Sequence, residues 1–228
     1  MNPIGGVTSK TVMVLRVFVP VLCLLLAGCN SLYYAGMEKL GKEKRDILVQ
    51  RILAGKKDQQ EAQKQIKTTL EAFQEVTGFQ GGNLERVYKK LNGEFEDAEA
   101  RAKDVSDRIR SIDQVASDMF REWDKEIGQM RNSSLRASSR SMLRDAQQKH
   151  KIYMASMRRT ERSMQPIIAA FRDQVLFLKH NLNARAIRSL QNTAKEIDSQ
   201  VTVLVQDMER SIQESDAFVQ TLNSADVS

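Results

Sequence analysis

Residues 84–123 read LERVYKKLNGEFEDAEARAKDVSDRIRSIDQVASDMFREW. Within them Leu84, Tyr88, Leu91, Phe95, Ala98, Ala102, Val105, Ile109, Ile112, Ala116, Met119 and Trp123 follow one another at alternating steps of four and three. That spacing is the heptad of packed helices; a strand would repeat every two residues. Ile127 and Met130 carry the face onward. The spacing therefore predicts one helix over about 84–130, ~70 Å long at 1.5 Å per residue.

The same seam appears upstream as Leu48, Ile52, Ala62, Ile66, Thr69, Phe73 and Val76, with Gly55 and Gln59 at its weaker positions. Between the two runs stands Thr77-Gly78-Phe79-Gln80-Gly81-Gly82-Asn83. Its glycines can end one helix in a left-handed conformation and Asn83 can cap the next, so a helical hairpin is expected. A phosphate-binding loop is not, because the Walker spacing and its lysine are missing. Downstream, Arg131-Asn132-Ser133-Ser134 supplies a turn and a cap. The stripe resumes at Met142, Ala146, Tyr153, Met157, Met164, Ile167, Phe171, Val175, Leu178 and Leu182. It keeps its phase across Pro166, which predicts a kink there and not a stop. Asn181-Leu182-Asn183 is a candidate turn before Leu190, Ala194, Ile197, Val201, Leu204, Met208, Phe218 and Leu222.

The expected architecture is all-α: an elongated antiparallel four-helix bundle with coiled-coil packing and helices at about 31–77, 84–130, 135–180 and 184–222. Net charges support the order. Counting Lys and Arg against Asp and Glu, segments 31–77, 84–130, 131–182 and 183–228 carry +2, −3, +8 and −3, so antiparallel neighbours differ in sign. A second version joins the last two helices, because Leu178, Leu182, Ala186, Leu190 and Ala194 continue at steps of four. That helix would be ~130 Å long and would need a partner chain along its exposed half. Composition agrees with helices throughout: 228 residues are 41% hydrophobic, 28% charged and 6% aromatic, with 11 glycines and 3 prolines. These values exclude collagen, low-complexity disorder and a sandwich of many short strands.

The first 28 residues read as an export signal. They hold no acid, the two bases Lys10 and Arg16, and the apolar run Val17–Leu26. The uncharged run to Gly28 covers only ~18 Å against a ~30 Å hydrocarbon core, so a signal peptide is favoured over a spanning helix. At its end, Leu26-Ala27-Gly28-Cys29 looks like a bacterial lipobox, with Leu26, Ala27 and Gly28 as peptidase recognition and Cys29 as the lipidated residue. A thiolate is nucleophilic enough to accept a diacylglyceryl group. The expected organisation is a lipoprotein signal peptide over 1–28 and a single helical domain over 29–228, anchored through acyl chains on Cys29. Asn30 after the cysteine favours the periplasmic face of the outer membrane.

Residues with catalytic chemistry are sparse. His150 and His180 stand alone, Cys29 is the one cysteine after the signal, and no zinc, Ser-His-Asp or nucleotide motif is present. Carboxylates such as Glu94 with Asp97, or Asp118 with Glu122, have helical spacing and read as solvated helix flanks. No enzyme activity, metal or cofactor is expected. The distinctive surface is basic: Arg131, Arg136, Arg140, Arg144, Lys149, Lys151, Arg158, Arg159 and Arg162 stand against only Asp145 and Glu161. Either this stripe pairs with the acidic second helix or it meets an anionic partner, for which lipid headgroups suit a periplasmic chain and nucleic acid does not.

Residues 31–46 (SLYYAGMEKLGKEKRD), the Gly81-Gly82 turn and residues 173–184 (DQVLFLKHNLNA) resemble a proteobacterial lipoprotein family catalogued as domain of unknown function 2959. The resemblance covers essentially the whole chain after the signal. It implies an exported helical lipoprotein and carries over no catalytic residue. The expected role is a scaffold or adaptor for envelope proteins; the alternative is a self-assembling coiled coil that binds or remodels membrane.

Overall fold

The computed structural model describes residues 44–224. The chain divides between Asp46 and Ile47, and the bundle described below is the unit from Ile47 onward. The helices are α1 (Lys44–Thr77), α2 (Leu84–Gln129), α3 (Ser133–His180), α4 (Ala184–Ser189) and α5 (Gln191–Ser224). No strand occurs among the described residues.

Three asparagines start three of the helices by the same chemistry. The Asn83 side-chain oxygen accepts from the Arg86 N–H at 3.0 Å. Asn132 accepts from Ser134 and Leu135 at 2.9 and 3.1 Å, and Asn183 from Arg185 and Ala186, both at 3.1 Å. Each cap satisfies backbone donors that the first helical turn leaves without an intrahelical acceptor. The α1–α2 connection turns through Gly81 and Gly82, at φ +152° and +109°, a region that side chains with a Cβ rarely enter. Asn181–Asn183 is a true turn, so the single ~130 Å helix is excluded.

The last expected helix, 184–222, is instead two segments. The Leu190 N–H bonds the Ile187 carbonyl at 3.1 Å, three residues back, and this tightened turn separates α4 from α5. Across Pro166, by contrast, α3 runs unbroken. Pro166 lies on the exposed face. The Arg162 carbonyl, which loses the donor four residues on, therefore sits on an exposed turn where water can serve it.

The helices run up, down, up and down. Asp58, Glu61 and Glu75 of α1 meet Arg108, Arg101 and Lys90 of α2, an antiparallel ladder. Asp113 and Glu99 of α2 meet Arg158 and Arg172 of α3, Ser163 of α3 bonds Asp207 of α5, and Lys56 of α1 bonds Asp216 of α5, closing the ring. Phe73 and Phe171 cross the centre edge to face, with ring centroids 6.2 Å apart. The net-charge argument holds for α2–α3 and α1–α5 but is reversed at α1–α2, where the more basic helix supplies the acids. Pairing is decided by the few side chains flanking each seam and not by the sum over a helix.

The seam residues are buried from Leu91 to Met119, whereas Tyr88, Trp123 and Met142 are only half-buried and Val87, Phe120 and Leu143 lie in the core beside them. The reason is geometric. Along α2 a straight helix drifts by ~20° per heptad against a strict 3.5 repeat, so over nearly six heptads the inward position passes to an adjacent residue; this does not account for Leu143 over Met142 in α3.

Candidate interaction surface and the polar core beneath it

Leu26, Ala27, Gly28 and Cys29 lie outside the described residues. The basic stripe lies within them, and the structure separates its members. Arg158 donates to Asp113 at 2.7 Å. Arg136 reaches the Met130 carbonyl at 3.5 Å, at the end of α2, where the unpaired carbonyls favour a cation. For Arg131, Arg140, Arg144, Lys149, Lys151, Arg159 and Arg162 no ion pair is found among the described residues. Lys149 is half-buried and the other six are exposed.

At ~100° per residue, Arg140, Arg144, Lys151, Arg158 and Arg162 fall within about 40° of one another on the α3 wheel. They face away from Ala146, Tyr153, Met157 and Met164, which are buried. This is a row of cations ~33 Å long with water on its outer side. The acids of α2 do not neutralise it: Glu99 pairs with Arg172 further along, Asp107 holds Lys103 and Arg110, and Asp118 holds Arg121. Pairing with the second helix therefore accounts for Arg158 alone within the nine. Of the paired carboxylates, that of Glu94 accepts from Gln65 at 2.7 Å and that of Asp118 from Gln114 at 3.1 Å.

Beneath α3 the core is unusually polar, which the seam pattern underrates. His150 lies between the rings of Phe120 and Phe218, at centroid distances of 5.4 and 5.6 Å. Its Nε2 is 3.6 Å from an Asp113 carboxylate oxygen, too long for a hydrogen bond. Burial pushes its pKa below the ordinary histidine value, against the opposing pull of Asp113. Tyr153, fully buried, has its hydroxyl beside Gly55, and burial drives that phenol well above its ordinary range. Gln59, Thr160, Ser211 and Ser215 are likewise buried. Their signal in the sequence is a polar residue at a position where the heptad places an apolar one.

At the other end, a half-open cleft of about 200 Å³ is lined by Thr77, Phe79, Leu84, Ile187 and Arg188 among others. The described residues contain no cluster of three or more His, Cys, Asp or Glu able to hold a metal ion, and no helix among them is long and apolar enough to cross a membrane.

A family model described as a protein of unknown function, DUF2959, matches residues 33–222. No curated protein and no solved structure matches the chain.

Proposed function

The chain belongs to the DUF2959 family, and from that premise we propose that it is a lipid-anchored helical protein of the bacterial envelope, a scaffold or adaptor on the periplasmic face of the outer membrane with no catalytic activity. The observation that carries the reading is the placement of Leu26-Ala27-Gly28-Cys29 at the end of a short apolar run, ahead of a bundle whose helices bury their apolar seams on one another. Such a chain needs an anchor, not a spanning helix, to stay at a membrane. Several acyl chains on Cys29 supply it, at ~0.8 kcal/mol per buried methylene. What remains exposed is charged surface, suited to meeting other envelope components.

Intact mass of the protein extracted from membranes tests the anchor. The expected result is a chain that starts at Cys29 and carries acyl mass, with Cys29→Ser released from the membrane fraction. An unmodified Cys29, or an unchanged distribution of the variant, overturns it.

The exposed cations of α3 favour a second reading, contact with anionic headgroups. The break at Asn181–Asn183 removes the long continuous helix on which a filament would have rested, so this reading needs only the closed bundle. Each nearby Lys or Arg contributes ~1 kcal/mol at an anionic surface. Full-length Cys29→Ser protein should then bind phosphatidylglycerol vesicles, not phosphatidylcholine ones, and release as salt rises. Replacing Arg140, Arg144, Lys151 and Arg162 by Glu should abolish the binding. Binding that ignores salt or these four residues sinks the reading.

A further inference from the structure

Thr160 and Ser211 are fully buried, yet their hydroxyl oxygens find no hydrogen-bond partner in the protein. This is unusual within the chain itself. A buried helical hydroxyl can always turn back to a carbonyl three or four residues earlier. Thr69 and Ser215 do so, at 2.9 and 2.6 Å, and so do the more exposed Thr68, Ser199, Thr202 and Thr221. Thr160 and Ser211 leave that option unused and direct their oxygens elsewhere. Gln59 adds a third case: its amide nitrogen donates weakly to the Gly55 carbonyl at 3.4 Å, while its side-chain oxygen, buried, has no donor.

Register brings the three to one level. The Ser163–Asp207 bond ties α3 to α5 at 2.8 Å, and Thr160 and Ser211 lie three and four residues from it in the same direction along the axis, about one turn. The Lys56–Asp216 contact, also 2.8 Å, ties α1 to α5, and Gln59 and Ser211 lie three and five residues from it, again in one direction. About two turns from Thr160 along α3, and level with Gly55 one turn from Gln59 on α1, the Tyr153 hydroxyl is fully buried without a partner. It lies 3.4 Å from where a Cβ on Gly55 would stand, so the glycine leaves room for it.

We propose that Gln59, Thr160 and Ser211 hold internal water between α1, α3 and α5, with the Tyr153 hydroxyl as a further contact. The chemistry matches the ligand. One amide oxygen that accepts only and two hydroxyls that both donate and accept are what a molecule with two donors and two acceptors completes. A buried water is held where two to four polar groups converge. It satisfies groups that would otherwise stand desolvated and unpaired in an apolar core. The water then belongs to the bundle as a register device: sliding one helix by a turn would separate the three groups and expose each to apolar neighbours.

A crystal structure of the full-length protein at about 2 Å or better should show a density peak within hydrogen-bond distance of at least two of the three side chains. Thr160→Val, which keeps the shape and removes the hydroxyl, should raise the unfolding equilibrium constant roughly tenfold by stranding the water and its other partners. Continuous apolar packing with no peak there overturns the proposal, as does Thr160→Val that leaves the constant unchanged or lowers it, the result for a hydroxyl that never had a partner. The density measurement stands on the wild-type chain whether or not the variant folds.

Discussion

The two halves of the bundle are built on different terms. Towards the α1–α2 turn, the core is Phe73, Val76, Leu91, Phe95, Phe171, Val175 and Ile197, apolar residues from α1, α2, α3 and α5, with Thr69 a buried polar side chain whose hydroxyl is satisfied by the Gln65 and Glu94 carbonyls. Towards the other end, the same seam carries Gly55, Gln59, His150, Tyr153, Thr160, Ser211 and Ser215 between its aliphatic residues. The first half gains stability from area removed from water. The second spends part of that gain on groups that must be paired and spaced, and in return only one alignment of the helices satisfies them. A heptad pattern alone permits neighbouring registers; polar side chains at inward positions discriminate among them.

Cutting into the apolar half should have the largest effect. Phe171→Ala removes a buried ring that meets Phe73, and should cost about 3–5 kcal/mol in denaturant unfolding; a loss below 1 kcal/mol would mean that this half is loosely packed. Next comes overfilling the polar half. A Cβ on Gly55 would stand 3.1 Å from Arg108 Cγ and from Ile112 Cδ1. Gly55→Val, with two further methyls, should cost about 1–3 kcal/mol, and wild-type stability would show that the polar level has room to spare.

A smaller, pH-dependent effect should come from His150. Its folded-state pKa lies below the unfolded one, because burial outweighs the attraction of Asp113. The unfolded chain therefore binds the proton first. Stability is intact above the ordinary histidine value of about 6.5, and falls as pH drops from there towards the folded-state value. Unfolding curves between pH 8 and 5 should show the slope in the wild type and a flatter line in His150→Leu. Equal slopes would remove His150 from the account. The smallest change should be a gain: Gly93 sits inside α2 with nothing within 4 Å of where a Cβ would stand, so Gly93→Ala should stabilise by about 0.5–1 kcal/mol through helix propensity. A loss there would point to a contact on the outer face of α2.

The contrast also explains what could be read from the residues alone. The long helices, the Asn83 cap and the turns at Gly81-Gly82 and Asn181–Asn183 were legible because each rests on local chemistry within a few residues; the tightened turn at Leu190 that divides the last expected helix was not. The inward place of Val87 over Tyr88, and of Phe120 over Trp123, was not, since it depends on accumulated rotation along a straight helix. Gln59 showed only as a weak point of a stripe; its meaning appears once Thr160 and Ser211, on distant segments, are brought beside it. The fate of the basic stripe was undecidable for the same reason. Opposite net charge suggested pairing with α2, but the α2 acids near it are largely engaged by bases on their own helix.

The closing contact between Lys56 and Asp216 joins residues 160 apart, whereas each hairpin joins helices separated by a few residues of turn. Assembly order follows from that separation. As the chain is synthesised, α1 can fold back on α2, and α2 on α3, as soon as each emerges, because short loops close quickly and at small entropic cost. The inner faces of α1 and α3 wait for α5, which emerges after them. Three helices form a trough whose floor is apolar and whose fourth wall arrives only with residues 191–224, so a chain halted before that point would present to its surroundings the surface the finished bundle conceals.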